Sequence, residues 1–215
     1  MDAVGEADKR ITSWFHHLAF GYLDYAIKPG AFLFGWEGIV ISLGGVAWVG
    51  GTRALLLAFL SLAIGQAVNR SAKVVLQRSR PVPPNGVSRR CSVKIPSVDD
   101  PDGASFPSGD TMAGSAVGAA LALTGHGSAW WLLGAYVGFA RVYFWCHFVL
   151  DVVFGYAVGS LAAVAIALVS ARGANLVWWH VAAAVPLFVL LMQRLKKIQR
   201  KKSGTGKHGA QVSAS

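Results

Sequence analysis

The sequence predicts an all-α membrane protein, a six-transmembrane helical bundle with an N-terminal interfacial helix. Two observations carry this expectation. Hydrophobic residues make up 54% of the 215 residues and charged residues only 14%. The apolar residues also fall in blocks near the roughly 20 needed to cross a hydrocarbon core about 30 Å thick. The net charge of +10 does not point to nucleic acid, because the basic residues sit at block ends and in a tail rather than along a soluble face. Cys91 and Cys146 lie in different segments without metal-ligand spacing and read as free thiols. The start of the chain lacks the pattern of a removable signal.

From Arg10 to about Ala26, the residues Ile11, Trp14, Phe15, Leu18 and Tyr22 recur at three- and four-residue spacing, with His16, His17 and Asp24 elsewhere on the wheel. That pattern suits a helix lying in the membrane interface, the alternative being a loose terminus. Lys28-Pro29-Gly30 is expected to break it, so residues 1–29 form the N-terminal segment, 30–193 the transmembrane unit and 194–215 a basic tail. A first crossing is expected from about Ala31 to Val49, a turn at Gly50-Gly51, and a second crossing from about Ala54 to Gln77. The second ends in Gln66, Asn69, Arg70 and Lys73, side chains that must face protein, water or an anion rather than lipid. Arg78 to Phe106 holds five of the eight prolines and reads as a membrane-flanking loop.

The third crossing is expected from near Pro107 to Thr124, the fourth from about Ala129 to Phe144, the fifth from about Phe148 to Ser170 and the sixth from about Leu176 to Met192. Gly114/Gly118, Gly134/Gly138 and Gly155/Gly159 give three of them a GxxxG spacing that permits close helix approach. Six crossings put both termini on one side. The seven Lys or Arg between Arg194 and Lys207 share that side with Lys9, Arg10, Lys28, Arg78, Arg89, Arg90 and Lys94, which makes it cytoplasmic. The tail either anchors this topology or holds anionic headgroups. Glu37 and Arg70, each about 10 Å deep by helical rise, are candidates for a structural ion pair.

Three segments carry ionisable or phosphate-binding groups to that cytoplasmic end. In RVYFWCHFVLD, His147 and Asp151 are four apart, so on a helix the carboxylate holds one imidazole nitrogen and leaves the other as a free lone pair. Arg141 would lie about 240° around from His147 on an unbroken helix, so a turn is expected between them. An imidazole so held can attack phosphorus while a guanidinium binds the equatorial oxygens; a structural ion pair is the alternative. In KVVLQRSRP, Lys73 and Arg80 are seven apart and share a helical stripe, with Pro81 ending the helix. Two cations on one stripe suit an anion, although basic helix ends also snorkel or mark topology. In FPSGD, a helix N-terminus with Ser108 and Gly109 suits phosphate, and Ser108 or Asp110 equally suits an ordinary cap.

The combination K-x6-RP, PSG and R-x5-H-x3-D, here Lys73, Arg80 and Pro81, then Pro107, Ser108 and Gly109, then Arg141, His147 and Asp151, resembles the type 2 phosphatidic acid phosphatase superfamily and its lipid phosphate phosphatases. The resemblance covers about Lys73 to Asp151. It implies a helical membrane fold and metal-independent phosphate release through a phosphohistidine, with no cofactor. It also implies that Lys73, Arg80, Ser108, the Gly109 amide and Arg141 bind phosphate, that His147 is the nucleophile, and that Asp151 orients it.

One position departs from the pattern. The family has PSGH, whose histidine protonates the leaving oxygen, whereas this chain has Asp110. General-acid help is commonly worth about 10²–10⁴ in rate. Asp110 would have to carry the proton itself, aided by a neighbouring phosphate anion and opposed by the helix dipole. Otherwise the substrate is a diphosphate, whose leaving phosphate has a second pKa of about 6 and hardly needs an acid. The expectation is therefore a polyprenyl-type or other lipid diphosphate. The alternatives are a phosphatidate, lysophosphatidate or sphingoid-base phosphate monoesterase and a catalytically impaired lipid-phosphate binder. A transporter or channel has only Glu37 and Arg70 in its support. His16 and His17 are distant candidates for the missing acid.

Overall fold

The computed structural model describes residues 3–35, 38–93, 103–171 and 193–194, and these form an all-helical bundle without strands among the described residues. Its helices are α1 (Ala3–His17), α2 (Asp24–Phe32), α3 (Ile39–Leu76), α4 (Gly109–Leu123), α5 (Leu132–Tyr143) and α6 (Val149–Ala171). Single 3₁₀ turns precede α2 at Gly21–Leu23 and α5 at Ser128–Trp131. Two of the helices, α3 and α6, are long and apolar enough to cross a membrane. The expected sixth crossing, the basic tail beyond Arg194, Lys94 and the Glu37 half of the Glu37–Arg70 pair lie outside the described residues.

The axis of the bundle is α4, which packs against α3, α5 and α6. Eleven of its fifteen residues are buried, and most of these are Ala, Gly, Ser or Thr. Such small side chains let backbones approach, and the glycine pairs are the points of contact. A Cβ on Gly155 would sit 2.5 Å from the Ser108 carbonyl oxygen, and one on Gly159 would overlap the Met112 carbonyl and the Ser115 hydroxyl. Helix α6 therefore lies directly on the α4 backbone, as small-residue spacing allows when apolar solvent offers no hydrophobic drive. An apolar cluster of Val46, Ala54, Leu57, Ala113, Val117 and Leu121 fills the opposite end.

Three expectations for the first half of the chain are corrected. Lys28-Pro29-Gly30 does not break the chain but lies inside α2. Proline costs a helix its i to i−4 bond, and here a tertiary group repairs the ladder. The Tyr136 hydroxyl accepts from the Gly30 amide at 3.1 Å and donates to the Ala26 carbonyl at 2.7 Å, standing where a direct Gly30–Ala26 bond would be. The helix expected from about Ala31 accordingly begins at Ile39, as the first arm of α3. The turn expected at Gly50-Gly51 is present: Gly51, at φ 62° and ψ −165°, a conformation essentially reserved for glycine, kinks the chain between the two arms of α3.

The third correction is that Arg80 is not on a helix. Helix α3 ends at Leu76, and Gln77 caps it in the left-handed region with its amide on the Lys73 carbonyl at 3.2 Å. A left-handed C-terminal residue satisfies an orphan carbonyl and turns the chain away. Arg80, preceding Pro81, is disfavoured in a helix in any case.

Candidate active site

The N-terminal ends of α4 and α6, the last turn of α3, the end of α5 and the segment after α3 meet at one end of the bundle. The turn expected between Arg141 and His147 is present: α5 ends at Tyr143, Trp145 takes φ 59°, and α6 begins at Val149. His147 therefore precedes α6 instead of sharing its first turn with Asp151. Asp151 reaches back and accepts the Phe148 amide at 2.9 Å, the return half of a capping box. Both residues are almost wholly buried.

His147 is approached from two sides. Arg80 Nη1 lies 3.3 Å from Nε2 and donates at 2.7 Å to the Cys146 carbonyl, while Arg80 Nε donates to the Gly103 carbonyl at 3.0 Å. On the other side, Nδ1 is 3.6 Å from Asp151 Oδ2, an ion-pair separation longer than a hydrogen bond. The Ser105 hydroxyl bridges this gap, donating to Asp151 Oδ2 and lying 3.5 Å from Nδ1. An imidazole with acidic and hydroxyl partners at Nδ1 keeps its proton there and turns a lone pair towards Arg80. Burial, with Arg141 and Arg80 nearby and against the help of Asp151, pushes His147 from its ordinary 6.5 down to about 3. The ring is therefore neutral at physiological pH.

Lys73 is buried in the last turn of α3 and feels the charges of Arg80, Asp110 and Arg141. Arg141 donates from Nη1 to the Ala31 carbonyl at 3.0 Å and pairs with Asp110 Oδ2 at 2.9 Å. Ser108 is the α4 N-cap, its hydroxyl accepting the Thr111 amide at 3.4 Å and lying 2.8 Å from the Thr111 hydroxyl. The Ser108 amide donates to the Asp151 carbonyl at 3.1 Å, which ties α4 to α6. A Cβ on Gly109 would lie 2.7 Å from Asn69 Nδ2, so this position admits only glycine without displacing Asn69. The structure thus gathers Lys73, Arg80, Ser108, Gly109, Asp110, Arg141, His147 and Asp151 at one end of the bundle.

Several participants escaped the sequence reading. Arg78 donates to Asp151 Oδ1 at 2.6 Å and to Asp8 Oδ2 at 2.5 Å. The sequence marks it only as a topology charge, and nothing in QRSRP separates its role from that of Arg80. Ser105 gave no signal, standing just ahead of the FPSGD motif. Asn69 did carry one, as a polar residue at the end of an apolar helix. His16 is buried, and burial with Arg89 and His17 nearby pushes it down to about 4. With His17 and Arg80 it lines a cleft of about 280 Å³ between α1 and the Pro81–Pro84 segment. Cys91 and Cys146 are free thiols, as expected. Among the described residues, no three His, Cys, Asp or Glu side chains gather as metal ligands would.

Comparison with known proteins agrees with this architecture. The sequence matches the profile of the PAP2 superfamily over residues 54–175, more than half of the chain. The chain belongs to the PAP2 superfamily. That span of the PAP2 match runs from the second arm of α3 past the end of α6 and includes every site residue named in the preceding paragraphs except Asp8, His16, His17 and Ala31. The fold is similar to that of LpxE from Aquifex aeolicus, with a TM-score of 0.56 at 20% identity over 74% of this chain and 93% of that one. It is also similar to a transmembrane PAP2-type phosphatidylglycerolphosphate phosphatase from Bacillus subtilis, with a TM-score of 0.60 at 22% identity over 81% and 89% of the two chains. No curated protein sequence matches the chain. Membership of the PAP2 superfamily, together with the apolar helices, supports a phosphatase of the membrane lipid class.

Proposed function

We propose that this PAP2 protein hydrolyses a lipid diphosphate of polyprenyl type at the cytoplasmic leaflet, through a phosphohistidine on His147. The observation that carries the chemistry is the buried imidazole with Nε2 facing Arg80 and Nδ1 facing Ser105 and Asp151. Nε2 attacks the terminal phosphorus in line, the bond from phosphorus to the bridging oxygen breaks, and the lipid leaves as its monophosphate. Water then attacks the phosphohistidine and releases inorganic phosphate, with the imidazole returning to its starting state. Lys73, Arg80 and Arg141 neutralise the equatorial oxygens, and Ser108 aligns the first-turn amides around Gly109 for the same purpose. These three cations supply the charge that a metal supplies in other phosphatases, so turnover is expected to persist in excess EDTA.

The preference for a diphosphate rests on Asp110. It is engaged with the Arg141 guanidinium at 2.9 Å and is not directed at a leaving oxygen, so the leaving group must depart unaided. A phosphate does so readily and an alkoxide, with a pKa near ~15.7, does not. Asp110 is thereby assigned to the catalytic machinery as a ligand of Arg141 that an incoming anion displaces. The topology proposed is six crossings with α1 in the interface: Val4, Ile11 and Trp14 point outward, Trp14 being 62% exposed, while the polar stripe of Asp8, Thr12 and His16 is buried. Lys9, Arg10, Lys28, Arg78, Arg89 and Arg90 support a cytoplasmic orientation of that end, and anionic headgroups are the expected neighbours of the basic tail.

The test is phosphate release by purified protein from a prenyl diphosphate and from phosphatidate, beside His147→Ala. Release that is faster from the diphosphate and absent in the variant, with an acid-labile phosphohistidine trapped in the wild type, is the expected result. Faster turnover of phosphatidate overturns the diphosphate assignment, and undiminished release by His147→Ala overturns the mechanism.

A further inference from the structure

We infer that the N-terminal helix supplies a positioning residue for the nucleophile: Asp8, acting through Arg78 on Asp151. The inference rests on His147 being the nucleophile. Arg78 spans two carboxylates, Asp8 Oδ2 at 2.5 Å through Nη2 and Asp151 Oδ1 at 2.6 Å through Nη1, and its guanidinium stacks 4.1 Å over the Phe148 ring. Its carbonyl accepts the Ser105 amide at 2.7 Å, and the Ser105 hydroxyl in turn donates to Asp151 Oδ2. Arg78 therefore governs both oxygens of the carboxylate, one directly and one through Ser105.

The same helix holds the backbone at that point. Asp8 Oδ1 accepts the Leu150 amide at 2.9 Å and Thr12 Oγ1 accepts the Val149 amide at 3.0 Å. With Asp151 itself taking the Phe148 amide, the first donors of α6 are satisfied by side chains of α1 and α6. Asp8 and Thr12 are 5% and 1% exposed, so a helix whose apolar face turns outward is anchored by a polar face over the catalytic end.

The charges make the role testable. His147 faces Arg80, Arg141 and Asp151, and Arg78 faces Asp8 and Asp151. Replacing Arg78 by Gln leaves the Asp151 charge uncompensated, so the carboxylate favours the imidazolium. Replacing Asp8 by Asn leaves the whole Arg78 charge on Asp151, which favours the neutral ring. The two substitutions thus move the acid limb of kcat/KM in opposite directions, which loosened packing does not do.

The experiment measures kcat, KM and the pH profile of full-length wild type, Arg78→Gln, Arg78→Lys, Asp8→Asn and His147→Ala on a prenyl diphosphate. All are taken as the monodisperse fraction and normalised to folded protein. Arg78→Gln is expected to lose about 10²-fold in kcat through misplacement of the nucleophile, with KM little changed and the acid limb raised by about one pH unit. Arg78→Lys restores the limb but only part of kcat, since one ammonium reaches one carboxylate. Asp8→Asn loses kcat less and moves the limb to lower pH. Wild-type kcat and an unmoved limb in both Arg78→Gln and Asp8→Asn, in a protein that His147→Ala inactivates, overturn the relay. Activity that survives His147→Ala instead overturns the underlying mechanism.

Discussion

Asp110→His puts the leaving-group argument to its sharpest test. The substitution restores a proton donor at the entrance of α4 and removes the carboxylate that holds Arg141 at 2.9 Å. Arg141 keeps its bond to the Ala31 carbonyl at 3.0 Å but loses its counter-charge, so its charge is released to the substrate. General-acid help is worth about 10²–10⁴. An imidazole placed where the native side chain was directed at a guanidinium is expected to reach the lower end, about 10², or about 2.7 kcal/mol of barrier. That gain applies to an ester oxygen, while a diphosphate gains little. The assay is parallel turnover of phosphatidate and a prenyl diphosphate by wild type, Asp110→His and Asp110→Asn, the last removing the charge without adding a donor. The ratio of phosphatidate to diphosphate turnover rises about 10²-fold in Asp110→His and stays flat in Asp110→Asn. An equal response of both substrates to Asp110→His, or a ratio that rises as much in Asp110→Asn, refutes the reasoning. Loss of a charged hydrogen bond from a largely buried pair also lowers stability by about 1.5–3 kcal/mol, visible as a drop in thermal midpoint in either variant.

Other consequences are as direct. Arg80→Lys loses the contacts to the Gly103 and Cys146 carbonyls and raises KM about tenfold, the weight of one charge-assisted bond. Gly159→Val drives a side chain into the Met112 carbonyl and destabilises the fold by about 1–3 kcal/mol, read from the thermal midpoint in detergent. His147 at about 3 and His16 at about 4 both lie below the ordinary 6.5, so on acidification the unfolded chain takes up protons that the folded chain refuses. Their effect on stability is nil above pH 6.5 and becomes a growing loss as pH falls towards 4. Thermal midpoints measured from pH 8 to 4 are expected to fall over that lower window, and less steeply in His16→Gln.

Much of the fold was legible because a bilayer imposes its length scale on sequence. The apolar blocks, the glycine spacings, the proline-rich loop and the ends of α4 and α6 all express constraints local to one segment. Lys73, Arg80, Arg141 and His147 stood out for the same reason, as ionisable groups at the edges of apolar runs. What misled was local too: Lys28-Pro29-Gly30 reads as a break by any propensity, and the Tyr136 hydroxyl that mends it comes from another helix.

The sequence by itself determined the class of protein, the segments that contribute to the site and the residue types they bring, since each of these follows from spacing along one stretch of chain. Only the tertiary structure decided the partners. That Arg78 bridges Asp8 and Asp151, that Ser105 stands between His147 and its carboxylate, and that Asp110 pairs with Arg141 are contacts between different segments. Hydrogen bonds and ion pairs act over about 3 Å, and no pattern along the chain records which distant atoms the packing brings within that range.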